Sequence, residues 1–133
     1  MKSECSVALL ADRHHGLRDS VRGLLEAEFD TVFMVADEAS LLEGLGRLSP
    51  AIVLVDLSLS DGDMGGLLQR VHTRSPASKI VMLTVHDEPT VAKAALGAGA
   101  NAVVIKRSLS TDLHPALEAL REGKQYLSPG LSK

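Results

Sequence analysis

Five short, almost uninterrupted apolar runs mark the chain, at residues 7–11, 32–36, 52–55, 80–83 and 102–105. They recur roughly every 25 residues. Runs this short, with no polar alternation, suit strands covered on both faces, which is the pattern of a parallel sheet. The stretches between them change period. Leu17, Val21, Leu24 and Leu25 share one helical face, as do Leu41, Leu42, Leu45 and Leu48. Leu67, Leu68 and Val71 mark a third helix, Val91, Ala94, Ala95 and Ala98 a fourth, and Leu113, Leu117 and Leu120 a fifth.

The punctuation agrees with this reading. Pro89 suits the first position of the fourth helix, with Asp87 or Glu88 near its cap, and Gly99 suits its C-terminal end. Pro50 and Pro76 fall in helix-to-strand connections. Pro115 requires a fifth helix that starts close by, near Ser110 or Thr111. The order is βα repeated five times. The expected fold is therefore α/β, a doubly wound five-stranded parallel sheet with helices on both faces.

Composition narrows the class. A length of 133 residues suits one domain, and 45% hydrophobic residues suffice for a single core. The one cysteine, Cys5, cannot form an internal disulfide, and no Cys/His cluster has zinc-ligand spacing. Both features suit a reducing, cytoplasmic setting. The longest apolar runs are about six residues, far short of the ~20 that span a membrane, and no signal peptide is evident. The net charge of −3 is interspersed along the chain, and two Phe, one Tyr and no Trp leave little to stack on bases. Direct nucleic-acid binding and membrane association by this segment are not expected.

In open α/β sheets the ligand site lies beyond the carboxyl ends of the strands. The first run ends at Asp12-Arg13, the third at Asp56, the fourth at Thr84 and the fifth at Lys106. Two carboxylates, a hydroxyl and an ammonium are thus expected on one rim. A carboxylate can attack a phosphoryl group, and cations stabilise the acyl phosphate formed. Magnesium prefers oxygen ligands such as these carboxylates and a nearby backbone carbonyl.

The stretches Leu9-Leu10-Ala11-Asp12-Arg13-His14, Ile52-Val53-Leu54-Val55-Asp56-Leu57-Ser58, Val81-Met82-Leu83-Thr84 and Gly99-Ala100-Asn101-Ala102-Val103-Val104-Ile105-Lys106 resemble the receiver domain of two-component response regulators. The likeness covers about residues 5–125, and residues 1–127 are read as the domain. It implies a flavodoxin-like, CheY-like sheet of order 2-1-3-4-5. It also implies that Asp56 is the phosphoacceptor, and that Asp12, Asp56 and the Ser58 backbone carbonyl hold Mg2+. Thr84 would be the switch hydroxyl and Lys106 the family's cation. The implied partners are a sensor histidine kinase and a second copy, docked through the fourth helix, fifth strand and fifth helix. Leu83-Thr84-Val85-His86-Asp87 and Gly123-Lys124-Gln125-Tyr126-Leu127-Ser128-Pro129 resemble the NarL/FixJ-like class. That class controls transcription through a helix-turn-helix domain, so residues 128–133 read as the start of an interdomain linker or tail.

The chain departs from the family at several positions. Arg13 stands where a second magnesium-binding acid is usual, which weakens the metal site by like-charge repulsion and the loss of a ligand. Arg13 is also a candidate substitute cation, pairing with Asp56 or a phosphoryl oxygen. Val103 replaces the usual aromatic ring three residues before the lysine. The loop after Asp56 is longer than usual and carries Asp61 and Asp63. These departures support an alternative, a phosphorylation-independent receiver acting as an interaction module. An enzyme of the haloacid-dehalogenase type would need an acid at position 58, where Ser58 stands, so no catalytic turnover is expected. His14 and the other four histidines are expected to be solvated, and Cys5 inert.

Overall fold

A computed structural model describes residues 6–131; Cys5 lies outside them. Six parallel strands form one sheet: β1 (Val7–Ala11), β2 (Thr31–Val35), β3 (Ile52–Asp56), β4 (Lys79–Thr84), β5 (Ala102–Ile105) and β6 (Tyr126–Leu127). Five helices connect them: α1 (His15–Glu26), α2 (Glu38–Leu48), α3 (Met64–Arg74), α4 (Pro89–Gly97) and α5 (Leu109–Arg121). The strand order is β2-β1-β3-β4-β5-β6.

The two faces of the sheet follow the two-residue period of a strand. Leu9, Val53, Val55, Met82 and Val103 point to one side, against Leu41 and Leu45 of α2, Leu67 and Val71 of α3 and Ala92 and Ala95 of α4. Leu10, Leu54, Val81 and Val104 point to the other, against Val21 and Leu25 of α1 and Leu113 and Leu117 of α5. The continuous apolar runs of β1, β3, β4 and β5 exist because both faces are covered.

Local chemistry sets the helix ends. The Asp37 carboxylate accepts the Ser40 N–H at 2.8 Å and opens α2, and Asp63 does the same for Gly66 at 3.1 Å and opens α3. Pro89 occupies the first turn of α4, and Gly99 follows that helix with φ +118°, a conformation that favours glycine. Helix α5 starts at Leu109, close to the expected position, but Pro115 is the seventh of its 13 residues and removes one backbone donor from the helix interior.

Two expectations about strands are corrected. The sheet has six strands rather than five, because Tyr126 and Leu127 pair in parallel with Ala102 and Val103. The second run is not covered on both faces: β2 is a sheet edge, half-exposed along its length, and Phe33 is exposed.

Candidate functional site

The parallel strands bring Asp12, Asp56, Thr84 and Lys106 to one rim, as the strand ends implied. Asp12 directly follows β1, and its N–H donates to the Val35 carbonyl at 3.0 Å. Asp56 ends β3 opposite Leu83 in the ladder, and Thr84 ends β4 opposite Ile105. Lys106 comes next and opens a 3-10 turn that leads into α5.

Lys106 organises the centre. Its Nζ lies 3.0 Å from Asp12 Oδ2 and 3.0 Å from Asp56 Oδ2, and its side chain is only 9% exposed. Both carboxylates are buried, Asp12 at 0% and Asp56 at 2% exposure. A shared ammonium is what allows two buried acids to stand side by side. Asp56 has further partners in the 3-10 turn that follows it. The Ser58 hydroxyl donates to Asp56 Oδ2 at 2.6 Å, and the Ser58 N–H to Oδ1 at 3.3 Å. Burial alone would raise the Asp56 pKa, but the Ser58 hydroxyl and the Lys106 ammonium outweigh it and hold the carboxyl below its usual range.

His14 borders this centre while keeping its expected solvation, with a side chain 60% exposed. Its N–H donates to Asp12 Oδ1 at 2.8 Å. Its Nδ1 lies 3.0 Å from the same oxygen, 3.6 Å from Asp56 Oδ2 and 3.5 Å from Lys106 Nζ. The signal for it was its place two residues after Asp12, where an aspartate at a helix entry captures nearby backbone N–H groups. The Ser58 hydroxyl carries no strand-end signal, and the resemblance assigns only its backbone carbonyl.

Arg13 does not pair with Asp56. Its guanidinium donates to the Ser58 carbonyl at 3.1 Å and lies 3.7 Å from Asp61 at the mouth of the site. Arg13 thus covers the same carbonyl that the resemblance assigns to magnesium. Thr84 is buried at 1% exposure, and its Oγ1 accepts the His86 N–H at 3.0 Å. Val103 is fully buried and sits beside Leu127 of β6, with no ring to swing.

A cation has donors available here. One atom each from Asp12, His14 and Asp56 lie within 4.8 Å of one another. Asp12 Oδ2 is buried and accepts no hydrogen bond; the Lys106 ammonium faces it at ion-pair distance only. An orphaned carboxylate oxygen of this kind suits a hard divalent cation, which needs only one or two carboxylates and completes its shell with water.

The chain belongs to the response regulator receiver domain family, whose pattern matches residues 8–118. It is 28% identical over 131 residues to the transcriptional regulatory protein RcsB of Escherichia coli K12, covering 94% of this chain and 60% of that protein. The isolated receiver domain of RcsB from Salmonella enterica serovar Typhimurium, in its apo form, superimposes with a TM-score of 0.84 at 28% identity over 96% of each chain. That domain has also been solved in the presence of the phosphomimetic BeF3-. A LuxR-family response regulator from Aurantimonas superimposes with a TM-score of 0.85 at 27% identity, covering 96% of this chain and 92% of that one. The chain is a receiver domain. Among the described residues no helix is long and apolar enough to cross a membrane.

Proposed function

We propose that Asp56 accepts a phosphoryl group from a sensor histidine kinase, and that the resulting acyl phosphate switches the surface formed by α4, β5 and α5. The observation that carries this reading is the Lys106 ammonium, 3.0 Å from both buried carboxylates at the carboxyl edge of the sheet. An Asp56 oxygen bonds to phosphorus as the phosphorus–nitrogen bond of the kinase phosphohistidine breaks, and the departing imidazole keeps the electron pair and takes a proton from water. Lys106 neutralises a phosphoryl oxygen. The Thr84 hydroxyl leaves the His86 N–H and donates to another.

Asp12 and Asp56 would hold magnesium, with the Ser58 carbonyl joining them once Arg13 withdraws. When bound, the ion neutralises the oxygens of the transferred group. Arg13 is then a gate on the metal and a cation that the phosphoryl group meets at the mouth of the site. Asp56 is consumed in the transfer, so the domain acts as a signalling module rather than an enzyme turning over an external substrate. We further assign to the parent protein control of transcription in the cytoplasm, through a DNA-binding domain beyond residues 1–127, and homodimerisation on the α4–β5–α5 surface.

Beryllofluoride tests the reading without a kinase. Added with Mg2+, it should shift the amide resonances of Asp56, Thr84 and Lys106 in the parent chain and leave an Asp56→Asn variant unchanged. Identical spectra with and without beryllofluoride would contradict the assignment.

A further inference from the structure

Beyond α5 the chain returns to the sheet and is tied to the strand that delivers Lys106. The Ser128 N–H donates to the Val103 carbonyl at 3.0 Å, and Ser128 Oγ accepts the Ile105 N–H at 2.9 Å. The same hydroxyl donates to Asp112 Oδ2 of α5 at 2.6 Å. Ser128 is fully buried and Asp112 is 6% exposed. Asp112 faces no cation within ion-pair distance among the described residues, so the Ser128 hydroxyl offsets part of its desolvation. Tyr126 lies nearby; burial, then the Asp112 carboxylate, push its phenol above its ordinary pKa. One turn further on, Leu131 is 1% exposed in the core cluster that contains Ile105. The Leu131 N–H closes that turn on the Ser128 carbonyl at 2.8 Å.

Ile105 is the residue immediately before Lys106. Its N–H faces away from the β4 ladder and would be an unpaired buried donor without Ser128. We propose that Ser128 is a positioning residue for Lys106. It fixes the end of β5 to Asp112, so the seating of the 126–131 segment and the occupancy of the phosphoryl site are linked. Any force that unseats the segment loosens the Lys106 ammonium. By reciprocity, an anion held by Lys106 tightens the segment. This coupling rests on the phosphoacceptor reading above, but its first readout needs no ligand.

The test compares the 133-residue chain with Ser128→Ala and Ser128→Thr by NMR. In unliganded protein, Ser128→Ala should move the Lys106 side-chain resonances and raise the Ile105 amide exchange rate about tenfold. Ser128→Thr keeps the hydroxyl and should restore both. Beryllofluoride affinity should fall about tenfold in Ser128→Ala and recover in Ser128→Thr. Unmoved Lys106 resonances in a folded Ser128→Ala protein would overturn the proposal. So would movement that Ser128→Thr does not rescue, because that reports loosened packing alone. Should Ser128→Ala fail to fold, Asp112→Asn takes its place with the same two outcomes for the Lys106 resonances. A parent chain that ignores beryllofluoride would overturn the phosphoacceptor reading and leave the Lys106 resonances to decide this one.

Discussion

Asp56 is held ionised by its neighbours, and that has a consequence for stability against pH. Its folded pKa lies below the ordinary carboxylate value because the Ser58 hydroxyl and Lys106 outweigh its burial. Stability from this group is therefore complete above the unfolded-state value and is lost as pH falls through the lower, folded value. Urea unfolding at stepped pH should show a steeper acid decline in the parent than in Asp56→Asn; parallel declines would contradict the account. Arg13 sets the second expectation. Its guanidinium covers the Ser58 carbonyl and adds positive charge at the mouth. Arg13→Asp should tighten Mg2+ binding at least about tenfold by calorimetry; unchanged affinity would remove Arg13 from the metal's surroundings. At this scale the sequence was informative where a residue ended a strand. Asp12, Asp56, Thr84 and Lys106 could be placed for that reason. His14 and the Ser58 hydroxyl could not, because each acts through a turn whose path a strand pattern does not specify.

The elements between strands do the aiming. The 3-10 turn after β3 folds Ser58 back onto Asp56, and the aspartate at the entry to α1 gathers His14. Helix α3 then starts on a carboxylate cap. Asp63→Ala should cost about 1 kcal/mol in urea unfolding, the usual worth of an N-cap, and leave the Lys106 resonances in place. A loss near zero would show that the cap is idle. The five short apolar runs and five amphipathic segments were readable because burial on two faces leaves a continuous run and burial on one leaves a period. Strand β6 left none. Two residues, Tyr126 and Leu127, are too few to show a period, and only pairing with Ala102 and Val103 makes them a strand. The exposure of β2 was hidden for a different reason: an apolar run does not state whether its strand lies at the edge or the centre of a sheet.

Across the whole molecule, the sheet acts as a frame that presents a shared charge centre at one edge. The parallel order brings residues 12, 56, 84 and 106 together although they are far apart in the chain. The same order places the 126–131 segment along β5, so the strand that carries Lys106 also carries the chain's exit. The chain spans 60% of the length of its Escherichia coli relative. The proposed signalling role depends on Asp56 being reactive as well as well placed. Incubation with Mg2+ and a small phosphodonor, followed by intact-mass and peptide mapping, addresses that directly. We expect a gain of about 80 Da, one phosphoryl group, mapped to Asp56 and lost in Asp56→Asn. A parent chain that stays at its original mass across the Mg2+ range, or a gain that maps elsewhere, would contradict the account.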